Sequence, residues 1–233
     1  MPVVIPPPGT AALLSVRCLA RDEDGERLHA LLWSAGPGWR MISSAVFGGG
    51  IGERAWVLNA QVAHGYRRTD PDRHLAALAA RAGVSGAGVG LMTAADVTAH
   101  AHANDGGAEA VVTAGIAVRG WAASPAEGTA GCPAPGTINI LVALPVALTD
   151  AALVNAVATA TEAKVQALLD AGHHCSGTPT DAVVIAARSP RPGETLHAFA
   201  GPRSPWGARL ARAVHRAVHR AVAPALPAGT PAG

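Results

Sequence analysis

The sequence GTPTDAVVIA, residues 177–186, joins a polar turn to a strand. Its second half begins with a single carboxylate, Asp181, and continues to Ala186 as an apolar run of strand length. Its first half carries two hydroxyl groups and has the composition of a turn. A long helical pattern that ends at Gly172 comes before it. The chain therefore places two threonines and an aspartate where a helix is followed by a core strand.

The pattern before this turn predicts the longest helix of the chain, which Thr149 or Asp150 caps and which runs to about Ala171. Lys164 falls within its apolar stripe, and Glu162 belongs to a polar face. The stripe contains Leu153, Val157, Ala160 and Leu168, and the polar face contains Asn155, Thr159, Glu162 and Gln166. Two interpretations are open. Either Lys164 extends its charged end to solvent beside a solvated polar face, or Glu162 or Lys164 points into a pocket that the turn 177–181 completes.

Apolar alternation and turn residues predict the remaining elements. Strands are expected at 13–19 and 28–34 as a hairpin, at 39–46 and 53–62 around the glycine run 48–52, and at 89–93, 110–118, 137–144 and 183–187. Helices are expected at 70–83, at 94–103 and at 205–221, and a Pro/Gly/Ala loop at 120–136. Because strands come first and helices arrive in clumps, the predicted fold class is α+β, a mostly antiparallel or mixed sheet with helices packed on one face.

Length and composition are those of a single domain, expected at residues 11–222 between a flexible Pro-rich lead at 1–10 and a flexible Pro/Ala-rich tail at 223–233. Of the 233 residues, 49% are hydrophobic and 15% are charged, which excludes disorder for most of the chain. A net charge of +2 and an aromatic content of 3% give no support to nucleic-acid binding. The sequence contains no uncharged apolar run of about 18 residues, so we predict no membrane-spanning helix.

Cysteine usage and the N-terminal sequence favour the cytoplasm. Cys18, Cys132 and Cys175 are odd in number and widely spaced, which is typical of reduced thiols rather than of a disulfide framework. The first residues lack the basic and apolar regions of a secretory signal. Ala-rich faces are compatible with a homo-oligomer, although no pattern requires one.

The histidine clusters give only weak support for a metal site. His173 and His174 come before Cys175 in an expected loop, and His215 and His219 share a helix face with four arginines. A zinc site needs three or four ligands in a defined geometry, so we predict no metal ligands. The face with the arginines is expected to be solvated.

Polar residues alternate at the end of the expected strand 53–62. Asn59, Gln61, His64 and Tyr66 would project two amides, an imidazole and a phenol from one face, or would form an exposed strand edge with ordinary polar alternation. The nearby glycine run can bring backbone N–H groups against a ligand or can simply form a wide hairpin. Neither the phosphate-binding motif GxxxxGK[ST] nor the dinucleotide-binding motif GxGxxG is present there.

Eight segments, in order from about residue 40 to 215, together resemble the adenosylcobinamide amidohydrolases of corrinoid salvage, the CbiZ family. They are SSAVFGGG (43–50), NAQV (59–62) with Tyr66 and Thr69-Asp70, GVGLMTAAD (88–96), GTINI (136–140), ALVNA (152–156), TEAK (161–164), GTPTDA (177–182) and GPRSPWG (201–207). The first forty residues and the tail match weakly, and the segment 173–175 departs from the pattern.

The resemblance implies hydrolysis of the amide that joins aminopropanol to the corrin ring of adenosylcobinamide, which gives adenosylcobyric acid and 1-amino-2-propanol. This reaction needs an attacking water or side chain, donors for the oxyanion and a proton for the leaving amine. The sequence requires no cofactor, since the substrate itself carries cobalt in its corrin ring. The expected partner is this small-molecule corrinoid, with no nucleic acid and no membrane insertion.

The same resemblance suggests roles for individual residues. Asp181 or Glu162 would act as the base on water, and His64 or Lys164 would supply the proton. Asn139, Thr178 and Thr180 would hold the amide and its oxyanion. The substrate-binding candidates are Ser43, Ser44, Gly49, Gly50, Asn59, Gln61, Thr93, Asp96, Asn139, Thr180 and Trp206.

Other interpretations stay open at this stage. Cleavage between Gly177 and Thr178 would expose a threonine nucleophile whose own α-amine acts as base. A corrinoid carrier would bind adenosylcobinamide without releasing an amine, and a purely structural protein would do neither. Without the resemblance, residues 177–181 would be an ordinary turn whose hydroxyls and carboxylate satisfy backbone donors.

Overall fold

Ten strands and three α-helices make up the part of the chain that the computed structural model describes, residues 12–125 and 136–223. The strands are β1 (Arg17–Glu23), β2 (Glu26–Ser34), β3 (Trp39–Ser43), β4 (Gly50–Glu53), β5 (Trp56–Gln61), β6 (Gly88–Thr93), β7 (Ala101–Asp105), β8 (Ala108–Ala114), β9 (Ile138–Leu144) and β10 (Ala182–Arg188). The helices are α1 (Pro71–Arg81), α2 (Asp150–Asp170) and α3 (Pro205–Val222). The predicted lead, nearly all of the predicted tail, most of the predicted loop 120–136 and Cys132 lie outside the described residues.

Two sheets lie face to face, and helices cover both outer faces. One sheet has the strand order β1-β2-β5-β6 and the other β4-β3-β10-β9-β8-β7. Leu91 from the first sheet and Leu141 and Val184 from the second belong to the apolar core between them. Helix α1 packs on the four-stranded sheet, and α2 and α3 pack on the six-stranded sheet. The α+β prediction is confirmed. The structure has two sheets with helices on both outer faces, whereas the sequence predicted a single sheet with helices on one face.

Strands β9 and β10 form the centre of the larger sheet and explain why both sequences are apolar throughout. They are parallel, and the connection between them contains α2, as parallel pairing requires. Ile140 and Val142 face the helices, whereas Leu141 and Ala143 face the other sheet. Because Ala182 pairs with Asn139, the turn before β10 lies beside the beginning of β9. This register positions the site described below.

The predicted N-terminal hairpin is confirmed, with its first strand displaced along the sequence. The turn is formed by Asp24 and Gly25, both with positive φ (51° and 81°), as a two-residue hairpin of type I′ demands. Strand β1 therefore ends at Glu23, and the prediction of a strand at 13–19 was placed too early.

The glycine run does not form the predicted hairpin between 39–46 and 53–62. Part of it is strand β4, which pairs with β3, whereas β5 leaves to join the other sheet. At Gly48 a Cβ would lie 1.9 Å from the carbonyl oxygen of Gly88, and the Gly90 N–H donates to the Phe47 carbonyl at 3.0 Å. Glycine is thus required here for close approach of two backbones.

The prediction of a helix at 94–103 is wrong. That segment forms a single 3-10 turn at Val97–Ala99 and then strand β7, which pairs with β8. Its alanine content indicates helix locally, but the long-range pairing with β8 decides the outcome, as tertiary context often does.

The other three helices are confirmed. Thr149 caps α2 by accepting a hydrogen bond from the Ala152 N–H, and Ser204 caps α3 in the same way through Gly207. Asp70 comes before Pro71 as predicted, but its side chain makes no cap and pairs with Arg68 instead. No helix in the described ranges combines the length and the apolar character that crossing a membrane needs.

The basic face of α3 is not simply solvated, which corrects the expectation. Its arginines reach the open edge of strand β7 and donate to alternate backbone carbonyls: Arg220 to His102, Arg216 to Asn104 and Arg209 to the adjoining Gly106, at 2.9–3.2 Å. Arg212 and Arg216 also pair with Asp105. These contacts cover an edge that would otherwise be free to pair with another strand.

Candidate active site

A cavity of about 460 Å³ opens at one end of the two-sheet sandwich. Strands β5 and β6 end there, and β9 and β10 begin there. The end of a sandwich is where loops can place polar groups without disturbing the apolar core. Six of the residues predicted from the sequence lie in its wall: Ser44, His64, Thr93, Asn139, Thr180 and Asp181.

The turn from Gly177 to Asp181 is organised around one carboxylate. Asp181 Oδ1 accepts from the Ile138 N–H at 2.9 Å and the Thr178 hydroxyl at 2.6 Å. Its Oδ2 accepts from the Thr178 N–H at 3.2 Å and lies 2.5 Å from Lys164 Nζ. An ionised carboxylate has about four lone-pair positions, so these contacts occupy them. Asp181 thereby ties the turn to both β9 and α2.

Lys164 is buried, with 7% of its surface exposed, and it does not extend to solvent. Its charge lies inside the apolar stripe of α2 because Asp181 is there to pair with it. A buried lysine of this kind is stable only with a charged partner. Of the two interpretations that the sequence left open, the solvent-exposed lysine is wrong. Lys164 points at the turn 177–181, but neither Lys164 nor Glu162 lines the cavity that this turn borders.

Gly177 is the residue that allows the ion pair to form at the turn. Its φ is +147°, a conformation that is essentially restricted to glycine. A Cβ at this position would lie 2.1 Å from Asp181 Oδ2 and 2.6 Å from Lys164 Nζ. The absence of a side chain thus makes room for the two charged groups.

Two threonine hydroxyls form a short chain at the same end of the sandwich. Thr180 Oγ1 donates to the Gly136 carbonyl at 3.0 Å and lies 2.5 Å from Thr137 Oγ1. Because a hydroxyl has one proton, Thr137 must be the donor in the second contact. Both hydroxyl protons are therefore committed to protein acceptors.

Asn139 and Asn59 form a buried polar cluster between the sheets. Asn139 Nδ2 donates to Asn59 Oδ1 at 2.9 Å and to the Met92 carbonyl at 3.0 Å, and Asn59 Nδ2 donates to Thr113 Oγ1 at 2.9 Å. The Met92 carbonyl can only accept, which fixes the orientation of the Asn139 amide. Its Oδ1 is buried and has no hydrogen-bond partner among the described residues.

Two other hydroxyls in the cavity wall accept backbone hydrogen bonds. Ser44 Oγ accepts from the Val183 N–H at 3.1 Å, and Thr93 Oγ1 accepts from the Ala95 N–H at 3.0 Å. In these contacts the hydroxyl is the acceptor, so its own proton stays available to donate. His64 is exposed in the same wall.

Tyr66 also lies in the cavity wall, next to a buried histidine that the sequence analysis did not single out. The Tyr66 hydroxyl lies 3.1 Å from His74 Nδ1, and His74 Nε2 lies 3.0 Å from Glu23 Oε1. Burial raises the pKa of Tyr66 above its ordinary value. Burial also lowers the pKa of His74, against the opposing effect of Glu23. The three residues come from β1, the loop before α1, and α1.

No local signal identified this group in the sequence. His74 precedes Leu75 on a helix and is as buried as its apolar neighbours, with 1% exposed. Glu23 ends a strand that is distant in the sequence, where Arg21 also contacts its carboxylate. Only the packing of α1 on the four-stranded sheet brings the two residues together.

Several predicted site residues lie away from the cavity wall. Ser43 is buried and accepts from the Ala45 N–H, and Gln61 accepts from the His29 N–H across the sheet. Asp96 caps the 3-10 turn through Thr98. Gly49 and Gly50 belong to the segment that packs against β3 and β6, and neither lines the cavity.

Glu162 and Trp206 are the two candidates that the structure separates most clearly from the cavity. Glu162 lies on the side of α2 that faces α3, where it lines a different cavity with Arg212 and His215. Trp206 lies near Pro145, at the opposite end of β9 from Asn139. Six residues of strand correspond to about 20 Å, so Trp206 and Asn139 do not share a site.

The histidine clusters do not assemble metal ligands within the described ranges. No group of three or more His, Cys, Asp or Glu side chains there has the arrangement to hold a metal ion. His173 contacts the Val222 carbonyl, Cys175 is buried, and His215 pairs with Asp170.

Comparison with known proteins identifies the family. A family model described as CbiZ, adenosylcobinamide amidohydrolase, matches residues 16–228. The chain belongs to this family. The match contains every residue of the cavity wall, from Ser44 to Ala182.

Two curated relatives of this chain carry the name adenosylcobinamide amidohydrolase. The protein from Methanosarcina mazei is 33% identical over 138 residues, which cover 59% of this chain and 64% of the relative. The protein from Halobacterium salinarum is 44% identical over 80 residues, which cover 34% of this chain and 33% of the relative. The chain therefore spans less than two thirds of the length of the curated relatives it matches.

Proposed function

We propose that the chain hydrolyses the amide that joins aminopropanol to the corrin ring of adenosylcobinamide, releasing adenosylcobyric acid and 1-amino-2-propanol. The family match across residues 16–228 supports the reaction class, and the names of the two relatives support the substrate. A place in corrinoid salvage for cobalamin synthesis, in the cytoplasm, belongs to the same proposal.

The observation that carries the proposal is the polar wall of the cavity at the end of an otherwise apolar sandwich. An amide presents one acceptor and one donor, and its hydrolysis develops negative charge on the carbonyl oxygen. The hydroxyls of Ser44 and Thr93 can donate to that oxygen. Asn139 Oδ1 is buried and presents no surface to a ligand, so the two hydroxyls are the groups of this wall suited to hold the amide oxygen.

The size of the cavity supports insertion of the aminopropanol arm rather than of the whole corrinoid. Cavities of about 300–1,000 Å³ enclose drug-sized ligands, and a corrinoid is considerably larger than these. The arm would enter the cavity of about 460 Å³, while the ring stays at its mouth. Val46, which lines the cavity and is 59% exposed, offers an apolar contact there.

Within this proposal, Asp181 and Lys164 hold the turn rather than exchange protons. The four hydrogen bonds to Asp181 occupy its oxygen atoms, which disfavours it as the base on water. Glu162 faces another cavity, so it is not included. His64, predicted from the sequence as a proton donor, is one of two candidates for that role in the cavity wall, and Tyr66 is the other. No cofactor is assigned, since the sequence suggests none.

The experiment that tests the function is incubation of the purified protein with adenosylcobinamide, with and without EDTA, followed by mass spectrometry. We expect adenosylcobyric acid and 1-amino-2-propanol in equimolar amounts in both samples. Product only without EDTA would show that a removable metal is needed. Binding without cleavage would favour the carrier alternative, and neither binding nor cleavage would contradict the proposed function.

Self-processing at Thr178 can be tested on the same sample. Cleavage between Gly177 and Thr178 would yield a smaller chain of residues 178–233, visible in the intact mass. In the structure the Thr178 hydroxyl already donates to Asp181, a contact that fixes the turn without any cleavage. We expect a single uncleaved chain.

A further inference from the structure

Tyr66, His74 and Glu23 form a hydroxyl–imidazole–carboxylate chain that ends at the cavity. The phenol oxygen lies 3.1 Å from His74 Nδ1, and His74 Nε2 lies 3.0 Å from the Glu23 carboxylate. His74 is 1% exposed, whereas Tyr66 lies in the cavity wall and also lines, with Glu23, a neighbouring cavity of about 520 Å³. The order of the three groups is that of catalytic triads, in which a buried carboxylate orients an imidazole next to a hydroxyl.

The hydrogen bonds define the proton positions in this chain. The Glu23 carboxylate can only accept, so His74 Nε2 carries a proton. Burial favours the neutral imidazole by lowering its pKa, and Nδ1 is therefore an acceptor. The Tyr66 hydroxyl must then donate to Nδ1, which leaves the lone pairs of its oxygen free to accept a proton.

Glu23 is held firmly enough to orient the imidazole. Arg21 Nε donates to Glu23 Oε2 at 3.1 Å, while the other oxygen contacts His74. Arg21 is anchored in turn by the His29 carbonyl at 3.0 Å. A buried histidine fixed by a carboxylate, and in contact with a residue of the cavity, is a typical arrangement for acid–base chemistry.

We propose that Tyr66 is the acid–base residue of the amide hydrolysis, with His74 as the proton store and Glu23 as a positioning residue. This inference rests on the proposed function. First, water gives a proton to Tyr66 Oη as Tyr66 passes its own proton to His74 Nδ1, and the hydroxide bonds to the amide carbon. The carbonyl electron pair moves to oxygen, where Ser44 and Thr93 can donate.

In the second step the protons return. The carbonyl re-forms and the C–N bond breaks, while His74 returns its proton to Tyr66 and Tyr66 delivers one to the amine nitrogen. The acid keeps the hydroxide and the amine gains the proton, so one water is consumed and the three residues end as they began. No other reactant is needed.

The main test is Tyr66→Phe, which removes only the hydroxyl. General acid–base catalysis contributes roughly 100- to 10,000-fold, so kcat should fall by about 100-fold or more while KM for adenosylcobinamide and the thermal midpoint stay close to those of the wild type. Near-normal kcat in a folded Tyr66→Phe variant, or a greater loss in His64→Gln, would overturn the proposal.

The contact with the ligand can be observed directly because Tyr66 is the only tyrosine of the chain. Biosynthetic replacement of tyrosine by 3-fluorotyrosine gives one fluorine signal, at the proposed residue. Adding adenosylcobyric acid, the reaction product, should shift this signal. A signal that does not respond to saturating product would contradict contact between Tyr66 and the ligand.

The pH profile distinguishes a proton relay from mere packing. The relay needs neutral His74, so kcat/KM should fall as the pH drops through the lowered pKa of His74. Glu23 raises that pKa, whereas the other charges facing the imidazole, Arg21 and Arg68, lower it. Glu23→Gln should therefore move the acid limb to lower pH and reduce kcat.

Asp22→Asn is the matched control, because Asp22 lies next to Glu23 on β1 but pairs with Arg27 in solvent. It should change neither the acid limb nor kcat. An acid limb that Glu23→Gln leaves in place would overturn the role of His74. An inactive wild type would instead contradict the proposed function, and the relay with it, so the two failures can be told apart.

Discussion

At the scale of single residues, the turn before β10 depends on a glycine that no other residue can replace. Gly177 combines a φ of +147° with direct proximity to the Asp181–Lys164 pair. Gly172, at the end of α2, has a φ of +82° and open space around it. Substituting each glycine by alanine therefore distinguishes two costs: backbone strain alone at Gly172, and backbone strain together with disturbance of the ion pair at Gly177.

We expect Gly177→Ala to be far more destabilising than Gly172→Ala. Strain at Gly172 should cost about 1–2 kcal/mol. At Gly177 the added methyl group also separates a buried ion pair, whose disruption costs roughly 3–5 kcal/mol. Urea unfolding of both variants measures the difference in the free energy of unfolding. Equal losses would show that the methyl group does not disturb the pair.

The residue scale also shows what the sequence could and could not reveal about the site. A carboxylate and hydroxyls in a turn before a core strand drew attention to Asp181 and Thr180, but only the family resemblance suggested that they belong to a site. His74 was missed because it occupies a helix position next to the apolar Leu75, and its partner Glu23 is distant in the sequence. A side chain whose role depends on a long-range partner gives no periodic signal.

At the scale of elements, α3 is joined to the edge strand β7 by a carboxylate and several arginines. Asp105 accepts from Arg212 at 2.6 Å and lies 3.0 Å from Arg216. The hydrogen bond from Arg212 is the main cause that lowers the pKa of Asp105 below its ordinary value of 3.8. The arginines are about half exposed, so solvent weakens the pairing and its contribution to the stability of the fold is small.

We expect Asp105→Asn to lower the thermal midpoint at neutral pH and to match the wild type in strong acid. A carboxylate whose folded pKa is lowered stabilises the fold above its ordinary pKa, and this contribution is lost as the pH falls through the lower, folded value. The difference between the two proteins should therefore begin to shrink as the pH approaches 3.8 and disappear only below the lowered, folded pKa. Thermal melts at several pH values measure it, with the exposed Asp22→Asn as control. A difference that persists in acid would mean that packing, rather than charge, is responsible.

Elements were predicted better than their arrangement. Strands β9 and β10 and helices α1, α2 and α3 follow from apolar runs, caps and terminal glycines. The assignment of β5 to a different sheet from β3 does not follow, because the same alternation suits a hairpin partner and a strand that pairs elsewhere. The segment 94–103 forms a 3-10 turn and the beginning of β7 rather than a helix, because the pairing of β7 with β8 outweighs the alanine content of the segment.

At the scale of the whole molecule, the cavity has one wall from each half of the sandwich. The four-stranded sheet and α1 bring Tyr66, His74 and Glu23, and the six-stranded sheet and α2 bring Asp181 and Lys164. In the proposed reaction the first group moves protons, and the second fixes the shape of the opposite wall. The two sheets would then hold the proposed acid–base group and a rigid turn on either side of the substrate arm.

The same geometry predicts how the corrin ring is held. If only the aminopropanol arm enters the cavity, the ring must rest against exposed apolar surface at its mouth, and Val46 is 59% exposed there. Val154, on α2, is 56% exposed but does not line the cavity. The two valines thus match in side chain and exposure and differ in location.

We expect Val46→Ser to raise KM for adenosylcobinamide with kcat unchanged, because the contact is made equally in the ground state and the transition state. The lost apolar contact of one valine corresponds to roughly 1 kcal/mol, or about fivefold in KM. Val154→Ser should leave both constants unchanged, and steady-state kinetics of the two variants measures the difference. If both serine variants behave like the wild type, the ring does not rest on Val46. If Val46→Ser lowers kcat instead, the residue affects the placement of the amide, and the corrin ring must then reach further into the cavity than its volume suggests.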